Sequence, residues 1–230
     1  MDVDESNSLS EDMAMKNVMK APIVFLLKLL DMYSLYSLRT TGPLKEDGWF
    51  RSFKEEASVD AAGNPIPWIT YPAIEFLKNR IHAEMSVFEY GCGESTLWWA
   101  SRVKEVISVE HDKDWHQKIK LTIPKNVSLT YVELEYGGAY SKKITEFKGK
   151  LDVVVLDGRD RVNCAINSVG ALKPDGIIVW DNSDLKEYEK GYQFLYERGF
   201  RKIEFIGLSP VVNYKTETGI FYRTNNCLGI

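Results

Sequence analysis

The sequence of 230 residues has few cysteines, no excess of basic residues and no long apolar run. Its three cysteines, Cys92, Cys164 and Cys227, have neither metal-binding nor redox spacing, which favours free thiols in a reducing, cytoplasmic compartment. The formal net charge of −4 provides no basic surface, so nucleic acid is excluded as an expected partner. Internal repeats and low-complexity tracts are also absent. The length fits a single catalytic domain with an added cap.

No apolar run is long enough to suggest a membrane span. The run from Pro22 to Leu30 is interrupted by Lys28 and falls far short of the ~20 residues that a span needs. The acidic stretch 1–12 lacks the basic flank of a secretion signal. We expect the run to pack on the body of the protein. The alternative is an amphipathic helix that lies on a membrane surface, for which Lys16, Lys20, Lys28 and Arg39 would form only a thin basic face.

Three segments follow from the composition along the chain. Residues 1–12 are polar and acidic and are expected to be a disordered tail. Residues 13–67 are expected to form a helical cap and lid segment, with helices that stop at Gly42-Pro43 and an irregular stretch rich in aromatic residues and proline after that. Residues 68–230 are expected to form the main domain, beginning with a helix from Thr70 to about Arg80.

From Ser86 onward, short apolar runs alternate with helical stretches, which is typical of βαβ units. The last two strands are joined by a loop too short for a crossover helix, so they should be antiparallel. The sequence therefore predicts an α/β fold: a doubly wound, mostly parallel, Rossmann-like sheet of seven strands with an antiparallel last strand and an N-terminal helical cap. The predicted strands span residues 86–90, 105–110, 127–132, 151–156, 176–180, 202–206 and 219–222.

A glycine-rich turn follows the first predicted strand. Gly91 and Gly93 let the chain fold tightly and approach a ligand closely, and the helix that starts near Ser95 offers unpaired N–H groups beside them. In open α/β sheets, ligands bind beyond the carboxyl ends of the strands where the strand order reverses. The turn lacks the third glycine of a dinucleotide fingerprint, which counts against a nicotinamide cofactor. An ordinary strand-to-helix turn is the alternative interpretation.

The second predicted strand ends in Glu110, 17 residues after Gly93. This offset is close to the ~20 residues that place an acid at the second strand tip of such folds, where a carboxylate can accept both hydroxyls of a ribose. With the turn, Glu110 makes the chain similar to class I S-adenosylmethionine-dependent methyltransferases over roughly residues 68–224. The resemblance implies that S-adenosylmethionine is the cofactor.

The same resemblance implies roles for individual residues. Glu89 would face the methionine ammonium, Glu110 would bind the ribose and His111 would line the adenosine. Adenine contacts are expected from residues 133–140, without a choice among the side chains there. The predicted cofactor-binding residues are Glu89, Gly91, Gly93, Ser95, Glu110, His111 and Asp157.

Oxygen-bearing side chains end the fourth and fifth predicted strands. Asp157 follows the fourth strand, and Asp181 and Asn182 follow the fifth. Carboxylate and amide oxygens are ligands that magnesium accepts, with positions left for water and a substrate hydroxyl. This arrangement resembles the metal site of catechol O-methyltransferase and related caffeoyl-coenzyme A enzymes. We therefore expect Mg²⁺ or another divalent cation at these three residues, which would activate and orient the acceptor hydroxyl.

The catalytic base does not follow from the same resemblance, because the lysine that acts as the base in the catechol enzyme has no counterpart after Asp157. Asp160 or water is expected to take the proton, and Arg159 is the second predicted catalytic residue. Arg159 and Arg161 could instead anchor an acidic group of the substrate. A salt-bridged helix start is the alternative for all three residues.

The predicted function is methyl transfer from S-adenosylmethionine to a hydroxyl of a small molecule or sugar, assisted by a divalent cation. The chain also resembles a group of methyltransferases associated with polysaccharide pathways, and residues 207–216 are expected to form the substrate mouth. The alternatives are a metal-independent O- or N-methyltransferase, an NAD-dependent oxidoreductase and a non-catalytic scaffold. The sequence predicts no oligomeric state.

Overall fold

The computed structural model describes residues 22–230, so the predicted tail of residues 1–12 and the first part of the predicted cap lie outside the described residues. A sheet of seven strands in the order β3-β2-β1-β4-β5-β7-β6 forms the centre. Strand β7 is antiparallel to both of its neighbours, and the other pairs of neighbouring strands are parallel. The strands are β1 (Ser86–Tyr90), β2 (Glu105–Glu110), β3 (Val127–Tyr131), β4 (Leu151–Leu156), β5 (Leu172–Asp181), β6 (Arg201–Leu208) and β7 (Lys215–Tyr222).

Helices precede the sheet and cover both of its faces. Helix α1 comprises residues 22–29. The helices that follow are α2 (Tyr33–Thr40), α3 (Pro43–Glu46), α4 (Trp49–Glu55), α5 (Tyr71–Lys78), α6 (Glu94–Ala100), α7 (Lys113–Lys120), α8 (Ala139–Lys142), α9 (Arg161–Ser168) and α10 (Glu189–Tyr196). Short 3₁₀ turns span Lys143–Phe147 and Lys186–Tyr188.

Strand β4 shows why the sheet is buried on both faces. Its side chains alternate between two apolar clusters: Val153 and Val155 lie in one, and Val154 and Leu156 lie in the other. All six residues of the strand are buried. Continuous apolar runs of this kind are typical of parallel strands that are covered by helices on both sides. The carboxyl end of the strand therefore carries its polar residues, starting with Asp157, to one edge of a rigid sheet.

The predicted sheet is confirmed, including the antiparallel last strand, but three strands are longer than predicted. Strand β5 begins at Leu172, because its first residues pair with Leu151 ahead of an irregularity in the register. Strand β6 continues to Leu208 and strand β7 already starts at Lys215, and these two residues pair directly. The ladder extends because a six-residue loop, 209–214, closes a long hairpin. The predicted substrate mouth, residues 207–216, therefore contains the end of β6 and the start of β7 as well as the loop that joins them.

The first two helices do not pack on the body, so that expectation for the run 22–30 is wrong. Phe25 is 69% exposed and Leu29 is 72% exposed. Helix α2 has no buried residue. Only Val24 and Leu27 of the run are partly buried, so most of its apolar side chains do not face a core. Within residues 22–230, no helix is both long enough and apolar enough to cross a membrane.

The stretch that joins the cap to the main domain lies against the β6–β7 loop. Trp49 donates a hydrogen bond of 2.7 Å from Nε1 to the carbonyl oxygen of Val212. Asp60 fixes the irregular part by accepting bonds from the backbone N–H groups of Ala62 and Asn64. The sequence analysis predicted that the helices stop at Gly42-Pro43 and that an irregular stretch follows. That prediction is wrong for α3 and α4, because Pro43 starts one helix at its first position and Trp49 starts the next.

Candidate cofactor and acceptor site

Two glycines bring the loops after β1 and β4 together. Gly91 has φ +97°, a conformation that side-chain-bearing residues rarely adopt. A Cβ on Gly158 would lie 2.1 Å from Tyr140 Oη and 3.0 Å from the carbonyl carbon of Tyr90. The two loops can therefore approach only because both positions are glycine. Gly158 was missed by the sequence analysis, although its place directly after Asp157 at a strand end is a signal that could have identified it.

A tryptophan braces the glycine-rich turn. Trp115 donates a hydrogen bond of 2.7 Å from Nε1 to the carbonyl oxygen of Cys92. Within the turn, the N–H of Gly93 donates to Thr96 Oγ1 at 3.0 Å. Trp115 lies in the first turn of α7, the helix that follows Glu110 at the end of β2. The sequence analysis did not single it out, because an aromatic residue on a helix is usually part of the core.

Glu89 is a fully buried acid held by three hydroxyl groups. Ser95, Thr96 and Ser108 all donate hydrogen bonds to its carboxylate. Burial raises the pKa of Glu89 to about 7, and the three hydroxyl bonds oppose that rise. The nearby charge of Glu110 raises the pKa further. A positively charged ligand group beside Glu89 would stabilise its ionised form.

Glu110 joins the ends of β1 and β2 through backbone hydrogen bonds. Its Oε2 accepts a bond of 3.2 Å from the N–H of Cys92, and its Oε1 accepts bonds from the N–H groups of His111 and Asp112 at 2.7 and 2.8 Å. The imidazole Nδ1 of His111 lies 2.9 Å from the same Oε1. These bonds fix the carboxylate in one orientation beside the glycine-rich turn.

One cavity of about 320 Å³ collects most of the predicted cofactor-binding residues. Gly93 does not line the cavity; its place is in the turn next to Trp115. Arg159 and Arg161 also lie on the wall. The predicted residues that line the cavity are Glu89, Gly91, Ser95, Glu110, His111 and Asp157.

The three predicted metal ligands meet, with an arginine among them. The guanidinium of Arg161 donates from Nη2 to Asp157 Oδ1 at 3.2 Å and from Nη1 to Asn182 Oδ1 at 3.0 Å. Nη1 also donates to the backbone carbonyl of Asp181. The side chain of Arg161 is only 10% exposed. A fixed positive charge therefore lies where the sequence analysis expected a divalent cation.

The buried carboxyl of Asp181 interacts with the carboxyl of Asp157, whose side chain is 26% exposed. Burial raises the pKa of both groups. The charge of Asp157 raises the pKa of Asp181 further, while Arg161 lowers both. Thr218 donates a hydrogen bond of 3.1 Å to Asp181 Oδ1. The one guanidinium offsets only part of the negative charge of the two carboxyls, so their pKa values stay raised.

The ligand set does not fit a divalent cation in this arrangement. Asn182 Oδ1 and Asp157 Oδ1 already accept bonds from Arg161, and a cation there would lie next to the guanidinium charge. Within residues 22–230, no group of three or more histidine, cysteine, aspartate or glutamate side chains could hold a metal.

Asp160 and Arg159 occupy different surroundings. Asp160 has φ +52° and accepts hydrogen bonds from the N–H of Gly137 at 2.8 Å and from Asn163 Nδ2 at 2.7 Å. Its carboxylate thus ties the loop after β3 to the start of α9, and its use as a base stays a prediction. Arg159 lines the first cavity and a neighbouring one of about 680 Å³ that also contains Lys190.

A further cavity of about 310 Å³ lies beside the carboxyl pair. Asp157 and Asp181 line it on the sheet side, and Trp68 and Tyr214 line it with aromatic rings. Ser209 and Thr216, from the hairpin loop and β7, add hydroxyl groups. The sequence analysis predicted this mouth from the β6–β7 connection but did not include Trp68. Asp157 borders both this cavity and the cavity of about 320 Å³, so the two are neighbours.

Comparison with known proteins identifies the fold. No protein-family model matches the chain, and no curated protein matches it. Among solved structures, precorrin-6y C5,15-methyltransferase from Geobacter metallireducens has a TM-score of 0.54 at 15% identity, over 75% of this chain and 96% of that one. Precorrin 8W decarboxylase from Methanobacterium thermoautotrophicum has a TM-score of 0.51 at 17% identity, over 73% and 97%. The chain has the Rossmann-like methyltransferase fold.

Proposed function

We propose that this protein is an S-adenosylmethionine-dependent methyltransferase that acts on a hydroxyl of a small molecule or sugar. The observation that carries the proposal is the position of Asp157. This residue borders the cavity that contains Glu89 and Glu110 and also the cavity that contains Asp181. A donor bound in the first cavity and an acceptor bound in the second would meet at the ends of β1 and β4. The methyltransferase fold of the solved structures is consistent with this arrangement.

The cofactor would be held by the groups already fixed in the first cavity. Glu110 offers its remaining lone pairs to the ribose hydroxyls, and Glu89 offers a carboxylate to the methionine ammonium. Gly91 and Gly158 line this cavity with backbone atoms and no side chain, so a ligand can approach the chain closely there. When bound, S-adenosylmethionine supplies a methyl group on a positively charged sulfur. The absence of a third glycine in the turn favours this ligand over NAD.

The carboxyl pair would remove the proton of the acceptor. Burial raises the pKa of Asp181, so its ionised carboxylate is a stronger base than that of an exposed aspartate and can accept the hydroxyl proton as the oxygen attacks. Asp181 faces the acceptor cavity, and its position is fixed by Thr218. Arg161 holds Asp157 and offsets negative charge of the two carboxyls before the proton is taken up. We therefore place the base at Asp181 in preference to Asp160.

The acceptor cavity supports a hydroxylated acceptor of modest size. Its aromatic side chains, Trp68 and Tyr214, are both exposed at the opening and offer flat apolar faces. Hydroxyls and carboxylates on the remaining wall can exchange hydrogen bonds with several hydroxyl groups of one ligand. This combination fits a sugar or a related polyhydroxylated molecule. The cation predicted from the sequence is not part of this proposal, because Arg161 supplies positive charge at its position.

Calorimetric titration with S-adenosylmethionine and with NAD tests the cofactor. We expect binding of S-adenosylmethionine, and about tenfold or greater weakening in Glu110→Gln, which keeps the shape and loses the charge. Glu105→Gln is the matched control, because Glu105 starts the same strand at its far end, where it is exposed. Tight binding of NAD without binding of S-adenosylmethionine would exclude the proposal.

A turnover screen tests the acceptor class. Hydroxylated metabolites and nucleotide sugars are offered with methyl-labelled S-adenosylmethionine, in the presence of magnesium or of a chelator. We expect transfer to an oxygen, at the same rate in both conditions. A rate that disappears with the chelator and returns with magnesium would support the metal-assisted alternative. Labelled amines as the exclusive products would contradict the hydroxyl acceptor.

A further inference from the structure

Helices α1 and α2 carry a concentrated exposed apolar surface, which we call the apolar hairpin (residues 22–40). Ten large apolar side chains between residues 23 and 38 are exposed, half of the exposed large apolar side chains in the part of the chain that is described. Soluble monomers rarely expose apolar groups in such a contiguous segment. They are Ile23, Phe25, Leu26, Leu29, Leu30, Met32, Tyr33, Leu35, Tyr36 and Leu38.

The exposed apolar groups of α1 form one broad face. At about 100° per residue, Ile23, Phe25, Leu26 and Leu29 fall within about 160° around the helix axis, and Lys28 points away from that face. A helix with a broad apolar face and a basic residue on the other side can lie in the boundary between the headgroups and the acyl chains of a bilayer.

The charges of this region favour an anionic surface. Residues 22–40 contain two basic residues, Lys28 and Arg39, and one acidic residue, Asp31, whereas the whole chain has a net charge of −4. Within the hairpin, Lys28 Nζ lies 5.2 Å from the ring centroid of Tyr33, and Arg39 lies 5.8 Å from that of Phe50. Long basic side chains next to aromatic rings can reach headgroup phosphates while their stems stay in apolar surroundings. Anionic lipids attract such positively charged segments.

We propose that the apolar hairpin docks the protein on an anionic lipid bilayer. It would lie in the headgroup boundary, because no helix among residues 22–230 can cross the membrane. Burial of Phe25, Leu29 and their neighbours supplies the apolar part of the binding free energy, and Lys28 and Arg39 supply an electrostatic part. This inference does not depend on the proposed methyl transfer.

Flotation of the full-length protein with vesicles tests the proposal. We expect the protein to float with vesicles of phosphatidylcholine and phosphatidylglycerol, and about tenfold less with phosphatidylcholine alone. High salt should lower the bound fraction on anionic vesicles, because it screens the basic residues. Failure to bind anionic vesicles at low salt would overturn the proposal.

The double variant Phe25→Glu and Leu29→Glu tests the surface itself. Both positions are exposed, so the fold should be unchanged by circular dichroism, while the bound fraction falls about tenfold or more. Leu121→Glu is the matched control, because Leu121 is 87% exposed at the end of α7, away from the hairpin. Equal loss in the control would overturn the assignment to this surface.

A second copy of the chain is the competing occupant. Sedimentation without lipid distinguishes the two occupants. A monomer supports docking on a bilayer, and a dimer that dissociates in the double variant supports association with a second copy. If that dimer fails to bind anionic vesicles, the bilayer proposal is wrong.

Discussion

Nη1 of Arg161 lies 3.0 Å from Oδ1 of Asn182, so a guanidinium holds the amide that the sequence analysis assigned to a metal ion. The same guanidinium contacts Asp157 at 3.2 Å, and together these bonds bridge the ends of β4 and β5. One buried positive charge thus lies beside the buried carboxyl of Asp181 and the partly exposed carboxyl of Asp157.

Replacement of this arginine should therefore cost stability. We expect Arg161→Met to lower the free energy of unfolding by about 3–5 kcal/mol, because it leaves buried carboxyls without their partner. Chemical denaturation measures the loss. Arg51→Met is the control: Arg51 forms an exposed pair with Glu55 at 2.9 Å, and its loss should cost less than about 1 kcal/mol. Equal losses in the two variants would contradict the role given to Arg161.

The buried carboxyl of Glu89 should make stability depend on pH. Its pKa is raised to about 7 in the folded protein from 4.5, so the folded state binds more protons than the unfolded state between these values. Stability should therefore fall as the pH rises from about 4.5 to about 7, by roughly 3 kcal/mol in total. Glu89→Gln should remove this part of the slope, as measured by denaturation at several pH values. An unchanged slope would show that Glu89 does not retain its proton in the folded state.

Much of the sheet could be predicted because apolar runs and helical stretches alternate so regularly after Ser86. The start of β5 could not, since Pro174, Asp175 and Gly176 are typical of a turn and only pairing with β4 keeps the chain extended around them. The candidate cofactor residues were found because strand ends in such folds meet at one edge of the sheet.

The contacts of Arg161 and Trp115 could not be predicted from spacing. Asp160 has φ +52°, and this local backbone conformation precedes the helix that carries Arg161 toward the strand ends. Trp115 reaches Cys92 only because the loops after β1 and β2 lie side by side. The exposure of Phe25 was missed for a different reason, since a short apolar helix was assumed to find a place on the body.

Gly158→Ala should disturb the junction of the two loops. Its Cβ would lie 2.1 Å from Tyr140 Oη and 3.1 Å from the N–H nitrogen of Gly91, so the loops must separate. We expect a loss of about 1–3 kcal/mol in the free energy of unfolding and weaker binding of S-adenosylmethionine. Gly170→Ala is the control, because a Cβ there meets nothing within 4 Å and φ is not in the positive range.

A second substitution makes this prediction sharper. Adding Tyr140→Phe to Gly158→Ala removes the nearest obstructing atom and should restore part of the lost stability. The close contact with the Tyr90 backbone remains at 3.0 Å, so recovery should be incomplete. If Tyr140→Phe gives no recovery, the hydroxyl of Tyr140 is not the atom that limits the junction.

Trp115 and Trp68 should separate the two halves of the site. Trp115→Phe removes the 2.7 Å bond to Cys92, so binding of S-adenosylmethionine should weaken by about 1 kcal/mol, or roughly fivefold, while the KM of the acceptor stays constant. Trp68→Ala should raise the KM of the acceptor and leave binding of S-adenosylmethionine unchanged. The reason is that Trp68 lines the acceptor cavity and does not line the first cavity. Calorimetry of cofactor binding and acceptor saturation curves measure the two effects. If both variants weakened cofactor binding equally and left acceptor KM unchanged, the division of the site at Asp157 would be wrong.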